Sequence, residues 1–118
     1  MPIYKVKRIY DPINKLDGFR VLVDRLWPRG FKKEDGRLDL WFKEIAPSST
    51  LRKWFDHEDE KWEIFKNRYL TELVENKKKV DEFVDLLKPH KIVTLLYAAH
   101  NKEHNHAEVL KIYLETEN

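Results

Sequence analysis

The segment over residues 19–30, FRVLVDRLWPRG, constrains the fold more than any other part of the chain. Its first half, residues 19–23, is a short apolar run rich in β-branched residues, which predicts a strand buried on both faces. Asp24 and Arg25 follow this run. In open α/β sheets, ligands bind outside the carboxyl ends of the strands. The segment therefore predicts a polar site supported by a rigid strand.

The loop after this strand carries residues suited to binding an anion. Arg25 and Arg29 each present a planar fork of donors that matches a carboxylate or a phosphate. Pro28 restricts its own backbone and that of Trp27, so the loop loses little entropy when a ligand binds. In the alternative reading, Arg25 pairs with Asp24 or another carboxylate, and Trp27 only fills the core. The sequence leaves both readings open.

Length and composition limit the class of protein. A chain of 118 residues predicts one domain, and 42% hydrophobic residues can build a core. The 23 basic and 21 acidic residues leave a formal net charge of +2, which does not favour extensive nucleic-acid binding. The chain has no cysteine, which excludes disulfides and thiolate chemistry and fits a cytoplasmic protein. The sequence predicts neither a signal peptide nor a membrane span.

The apolar patterns predict a single compact α/β domain with a small, largely parallel sheet flanked by helices. The predicted strands cover residues 3–9, 19–25 and 92–97, and we expect the last two to be parallel. Their first connection is either a hairpin or a crossover. The predicted helices cover residues 38–45, a short segment capped by Ser48 or Ser49, the stretch 60–88 with a break at 76–79, and a last helix capped by Asn105.

The loop and helix after the third predicted strand form a second place for a site. A helix N-terminus offers unpaired N–H groups to an anion, so His100, Asn101 and Asn105 are candidate ligand-binding residues. His106 at the helix start is suited to proton transfer, and Asp24 is its candidate partner in acid–base chemistry. Three histidines, at 100, 104 and 106, lack a convincing carboxylate, so we expect no metal site. A cap-adjacent, packed histidine is the alternative for His106.

Several segments resemble the DUF488 family, and in particular its short YeaO-like branch. The resemblance covers nearly the whole chain and includes KRIYDP, DGFRVLVDRLWPRG, LWFKEIAPSSTLRKWF and NHAEVL. It implies an α/β fold with a small parallel sheet and no known function. Broader members carry a Cys-His-Arg triplet at the start of the last helix, of which only His106 is matched. Tyr97 replaces a further Cys, and these departures count against phosphatase-like chemistry.

We therefore expect a small protein that binds an anionic small molecule, such as a nucleotide or a phosphorylated or carboxylated metabolite. The site would lie between Arg25, Trp27 and Arg29 on one side and residues 100–106 on the other, with Asp24 and His106 as tentative catalytic residues. The alternative is a non-catalytic module that binds a protein or a nucleic acid. The sequence names no cofactor and does not give the oligomeric state.

Overall fold

A computed structural model describes residues 2–117 and contains a four-stranded, fully parallel sheet. The strands are β1 (Ile3–Arg8), β2 (Phe19–Leu22), β3 (Leu40–Trp41) and β4 (Ile92–Tyr97), in the order β1-β4-β2-β3. The register places Val21 beside Leu95 and Ile3 beside Ile92. The predicted parallel pairing of residues 19–25 and 92–97 is confirmed. Because β4 lies between β1 and β2, their connection is a crossover and not a hairpin.

Four α-helices follow the predicted pattern in most of the chain. They are α1 (Ser49–Phe55), α2 (Trp62–Glu75), α3 (Lys77–Leu87) and α4 (His106–Glu117). The Ser48 side chain caps α1 by accepting from the backbone N–H of Leu51 at 3.1 Å. The Asn105 side chain caps α4 in the same way, accepting from Glu108 at 3.1 Å. The predicted break in the long helical stretch is confirmed at Asn76, where α2 ends and α3 begins.

The predicted helix over residues 38–45 is wrong. This segment forms β3 and a 3-10 turn over Lys43–Ile45. The backbone N–H of Phe42 donates to the carbonyl of Leu22 at 3.1 Å, so sheet pairing satisfies groups that a helix would otherwise bond internally. Trp41 and Phe42 pack into different clusters, as neighbouring residues of an extended chain do.

The four helices pack on one face of the sheet, and irregular segments cover the other. The main core contains alternate residues of β2 and β4 together with buried residues from all four helices. On the opposite face, Ile9, Leu22 and Leu96 form a second cluster. The loop between β2 and β3 covers this cluster with the partly buried side chains of Trp27, Phe31 and Leu38, and Trp41 of β3 packs against it as well. We call this second surface the helix-free face.

A buried ionic network lies beneath the helix-free face. The Asp17 carboxylate pairs with the Lys7 ammonium at 3.1 Å and with the Arg20 guanidinium, and it accepts the N–H of Asn14 at 3.0 Å. Burial opposes ionisation of this carboxyl, but the Asn14 N–H and the two cations together hold the pKa of Asp17 below its usual value. The Thr94 hydroxyl donates to the carbonyl of Asp17 at 2.6 Å, which joins the network to β4.

Candidate functional site

The carboxyl ends of β1, β4 and β2 meet at one edge of the sheet, as the parallel topology requires. Arg8, the last residue of β1, donates through Nε to the carbonyl of Ala99 at 2.8 Å and through Nη2 to that of Ala98 at 3.3 Å. The Arg8 guanidinium also lies 5.0 Å from the centre of the Tyr10 ring. These contacts fasten the segment after β4 to the neighbouring strand.

Asp24 and His106 are in contact at this edge. The Asp24 Oδ1 atom lies 3.1 Å from His106 Nε2, and both side chains are 16% exposed. The other carboxylate oxygen, Oδ2, accepts the backbone N–H of Ala98 at 3.0 Å. His106 Nε2 is also 2.9 Å from the carbonyl oxygen of Val23. The pair therefore joins the ends of β2 and β4 to the start of α4.

The contact with Val23 assigns the donor role of His106 Nε2. A carbonyl oxygen only accepts, so Nε2 carries a proton that it donates to Val23. Asp24 Oδ1 lies within ion-pair distance of Nε2 but has no hydrogen bond of its own among the described residues, because that proton is directed at the carbonyl. A proton held by the backbone is poorly placed for transfer to a ligand. The geometry favours a positioning role for the pair.

The loop between β4 and α4 is held by its own side chains. Asn101 Oδ1 accepts the backbone N–H groups of Glu103 and His104, both at 2.9 Å, and the Asn105 amide donates to the carbonyl of Asn101 at 3.0 Å. His104 pairs with Asp59 and stacks on Trp62. The amide oxygen of Asn105 caps α4, so both predicted asparagines serve the loop itself. His100 is exposed.

Arg25 lies on the helix-covered side of the edge. Its guanidinium donates through Nε to the carbonyl of Pro47 and through Nη2 to that of Ala46, both at 3.1 Å. It lines a cavity of about 300 Å³ together with Tyr69 and Glu72. Burial raises the pKa of the Tyr69 phenol well above its usual range; Glu72 and Asp24 add to the rise, and Arg25 opposes it.

Trp27 and Arg29 belong to the helix-free face instead. The Trp27 indole N–H donates to the carbonyl of Phe31 at 2.7 Å, and its ring meets that of Trp41 edge-on at 5.3 Å. Arg29 is exposed, and its carbonyl accepts the Tyr10 hydroxyl at 3.0 Å. Two arginines that are four residues apart in the sequence therefore lie in separate surroundings.

A cavity of about 410 Å³ lies on the helix-free face and has aromatic walls and a cationic rim. Trp27, Phe31 and Trp41 form the walls, and Pro28 is buried beside them. The charged lining residues are three cations and one carboxylate, namely Lys32, Lys33, Arg37 and Asp39. We call this space the tryptophan cavity and the space beside Arg25 the Arg25 cavity.

Sequence reasoning missed the β3 side of the tryptophan cavity. The helical pattern over residues 38–45 misplaces Trp41, whose indole N–H donates to the carbonyl of Asp24 at 2.8 Å and whose ring lies beside that of Trp27. The Arg37 guanidinium lies 4.5 Å from the centre of the Phe31 ring. The available signal was Phe31 followed directly by Lys32 and Lys33, with Arg37 four residues further on, which places one aromatic residue among three basic ones.

Within residues 2–117, no group of three or more histidine, aspartate or glutamate side chains is arranged to hold a metal ion. In the same part of the chain, no helix combines the length and the apolar character needed to cross a membrane.

The parallel sheet, its single helical layer and its polar carboxyl edge define a small α/β domain. A family model described as DUF488-N3i, the inactive DUF488-N3 subclade, matches residues 3–118. The chain belongs to this family, and the DUF488 resemblance seen in the sequence is confirmed.

The relatives carry no assigned function. The chain is 47% identical over 110 residues to the uncharacterized protein YeaO of Escherichia coli, covering 93% of this chain and 95% of that protein. It is 39% identical over 106 residues to the uncharacterized protein Rv3073c of Mycobacterium tuberculosis, covering 90% and 88% respectively. The uncharacterized protein Mb3100c of Mycobacterium bovis matches to the same extent. No solved structure is significantly similar to the chain.

Proposed function

We propose that the protein binds a small anion with a planar ring, of the nucleotide class, in the tryptophan cavity. The observation that carries this proposal is the combination of aromatic walls with an excess of cations around one cavity. Indole rings offer faces on which a base stacks, and lysine and arginine side chains attract phosphate. The volume of about 410 Å³ lies within the usual range for ligand cavities, roughly 300–1,000 Å³.

The electrostatics favour this cavity over the other one. Asp39, the carboxylate in its lining, already accepts the backbone N–H of Arg20 at 2.9 Å. Lys43 lies 5.6 Å from the Trp41 ring and adds positive charge nearby. Arg29 directly follows the lining residue Pro28 and is exposed. An anion in the Arg25 cavity would instead meet three glutamates, Glu44, Glu72 and Glu75.

We place no chemistry in this proposal. The His106 proton is donated to a backbone carbonyl, and Asp24 is engaged by Ala98 and His106. The family description uses the word inactive, which supports binding without turnover. A cysteine-free chain of this kind is expected to act in the cytoplasm.

The test measures adenosine 5′-monophosphate binding by titration calorimetry and tryptophan fluorescence. Saturable binding with quenching of the indole emission is expected, and adenosine should bind more weakly because it lacks the phosphate. Arg37→Ala or Arg29→Ala should weaken binding by about 1.5–3 kcal/mol, the range for losing a charge-assisted hydrogen bond. The control is Arg52→Ala, which removes the same charge from an exposed position on α1.

Two results would contradict the proposal. If the wild type and both arginine variants bound adenosine 5′-monophosphate with equal affinity, the tryptophan cavity would not be the binding site. Binding of a single-stranded oligonucleotide that is much tighter than that of the mononucleotide, with an affinity that falls steeply with salt, would identify a nucleic-acid module instead.

A further inference from the structure

The Arg25 cavity is separate from the tryptophan cavity and lies on the other side of the sheet. It is bounded by the turn over Lys43–Ile45, the start of α1 and the end of α2. The two cavities share no lining residue. A ligand bound here would therefore be independent of the nucleotide site proposed above.

The Arg25 guanidinium is held in place by two hydrogen bonds and has further N–H groups free to bind a ligand. Two carbonyl oxygens fix its guanidinium through Nε and Nη2. The side chain is half-buried, yet no described carboxylate forms a salt bridge with it. A guanidinium has five N–H donors, and a carboxylate matches two of them in parallel. The remaining donors of Arg25 therefore suit a ligand carboxylate.

The acidic side of the same cavity also contains carboxylates that have no cationic partner among the described side chains. Glu72 is occupied, because its two oxygens accept the backbone N–H of Ser48 at 2.8 Å and the Ser48 hydroxyl at 2.6 Å. Glu44 and Glu75 form no salt bridge with any described side chain. Asn76 donates to the backbone carbonyl of Glu44 at 3.3 Å, which links the turn to the end of α2.

Opposite charges thus line one cavity without pairing with each other. A simple anion would be attracted by Arg25 but repelled by the three glutamates. A simple cation would be attracted by the glutamates but repelled by Arg25. A molecule that carries one charge of each sign satisfies both sides. We propose that the Arg25 cavity binds a small zwitterion of the amino-acid class, with its carboxylate on Arg25 and its ammonium group near Glu44 and Glu75. The cavity volume of about 300 Å³ suits a ligand of this size.

The test uses glycine, β-alanine and γ-aminobutyrate, which differ in the spacing of their two charges, with propionate and propylamine as single-charge analogues. Binding to the full chain is measured by ligand-observed NMR. We expect one of the three zwitterions to bind with a dissociation constant of about 1 mM or tighter, and the single-charge analogues at least tenfold more weakly.

Variants of the two glutamates test the geometry without touching the arginine that the fold uses. The double variant Glu44→Gln with Glu75→Gln should weaken zwitterion binding about tenfold or more, which corresponds to 1.4 kcal/mol. Glu63→Gln on the exposed part of α2 removes a single charge of the same sign far from the cavity lining and should have no effect on zwitterion binding. The affinity for adenosine 5′-monophosphate should be equal in the wild type, the double variant and Glu63→Gln. This result would distinguish the zwitterion proposal from the nucleotide proposal.

Three outcomes would overturn the proposal. One is no saturable binding of any of the zwitterions at concentrations about tenfold above 1 mM. Another is propionate binding as tightly as the zwitterions, because the acidic side would then contribute nothing. The third is unchanged zwitterion affinity in the double glutamate variant.

Discussion

Replacing Asp24 by alanine tests whether this carboxylate holds the edge of the sheet together. The change removes the acceptor for the Ala98 N–H, which is 3.0 Å from Oδ2, and the contact with His106. Losing a hydrogen bond to a charged group costs about 1.5–3 kcal/mol. The carboxylate is only 16% exposed, so water replaces it poorly, and losing the His106 contact adds to the cost. We expect a total loss of about 2–4 kcal/mol of unfolding free energy.

The assay is urea denaturation followed by tryptophan fluorescence and circular dichroism. With a slope of about 2 kcal/mol/M, in the middle of the usual range, this loss lowers the midpoint by about 1–2 M urea. Asp24→Asn retains an oxygen that can accept the Ala98 N–H, so we expect a loss of about 1 kcal/mol. The control is Asp85→Ala, which removes an exposed carboxylate on α3 and should change stability by less than about 0.5 kcal/mol.

A double-mutant cycle with His106→Ala measures the coupling directly. Residues in contact have coupling energies of about 0.5–3 kcal/mol, and we expect a value in this range for Asp24 and His106. If Asp24→Ala unfolded at the wild-type midpoint, the carboxylate would not be structural. The positioning role argued for it would then be wrong.

Two further predictions concern the glycines with positive φ and the buried ionic network around Asp17. Gly18→Ala should cost about 2–4 kcal/mol, because Gly18 has φ of +66° and an added Cβ would lie 2.3 Å from the carbonyl oxygen of Ile92. Gly30→Ala, with φ of +87° and open space, should cost only about 1–2 kcal/mol, and equal losses by thermal denaturation would contradict the close approach. The lowered pKa of Asp17 means that its stabilisation is complete above the unfolded value of 3.8 and is lost as the pH falls through the folded value. The stability difference between wild type and Asp17→Asn should therefore stay constant at neutral pH and shrink as the pH falls below about 4, and a difference independent of pH would refute the assignment.

The sequence predicts those elements whose signal is local. The run over residues 92–97 is apolar at nearly every position, and it forms β4, an interior strand of the sheet. The contact between Asp24 and His106 was also predictable, since both follow the carboxyl ends of neighbouring parallel strands. In each case the pattern along the chain and the topology point to the same arrangement.

The remaining features depend on partners that are distant in the sequence. β3 has only two residues and exists because it pairs with β2, so no period in residues 38–45 could indicate it. His104 is held by Asp59 and Trp62, which lie more than forty positions away in the chain. Arg25 and Arg29 lie on different faces of the sheet because of the path of the loop between them. The contacts of Trp27 with Phe31 and Trp41 determine that path.

The contacts at the end of β2 are the reason that we propose binding beside the sheet edge and not on it. The backbone carbonyl of Asp24 accepts the indole N–H of Trp41, and the Asp24 carboxylate contacts Ala98 and His106. The polar groups that would meet a ligand at the strand ends are therefore used to join β2, β4 and α4. The next residue, Arg25, turns toward the helices and lines one cavity, whereas Trp27 turns to the opposite face and lines the other. A short loop thus presents a cation to one surface and an aromatic ring to the other. The Arg25 cavity therefore combines an arginine with glutamates, whereas the tryptophan cavity combines aromatic rings with cations.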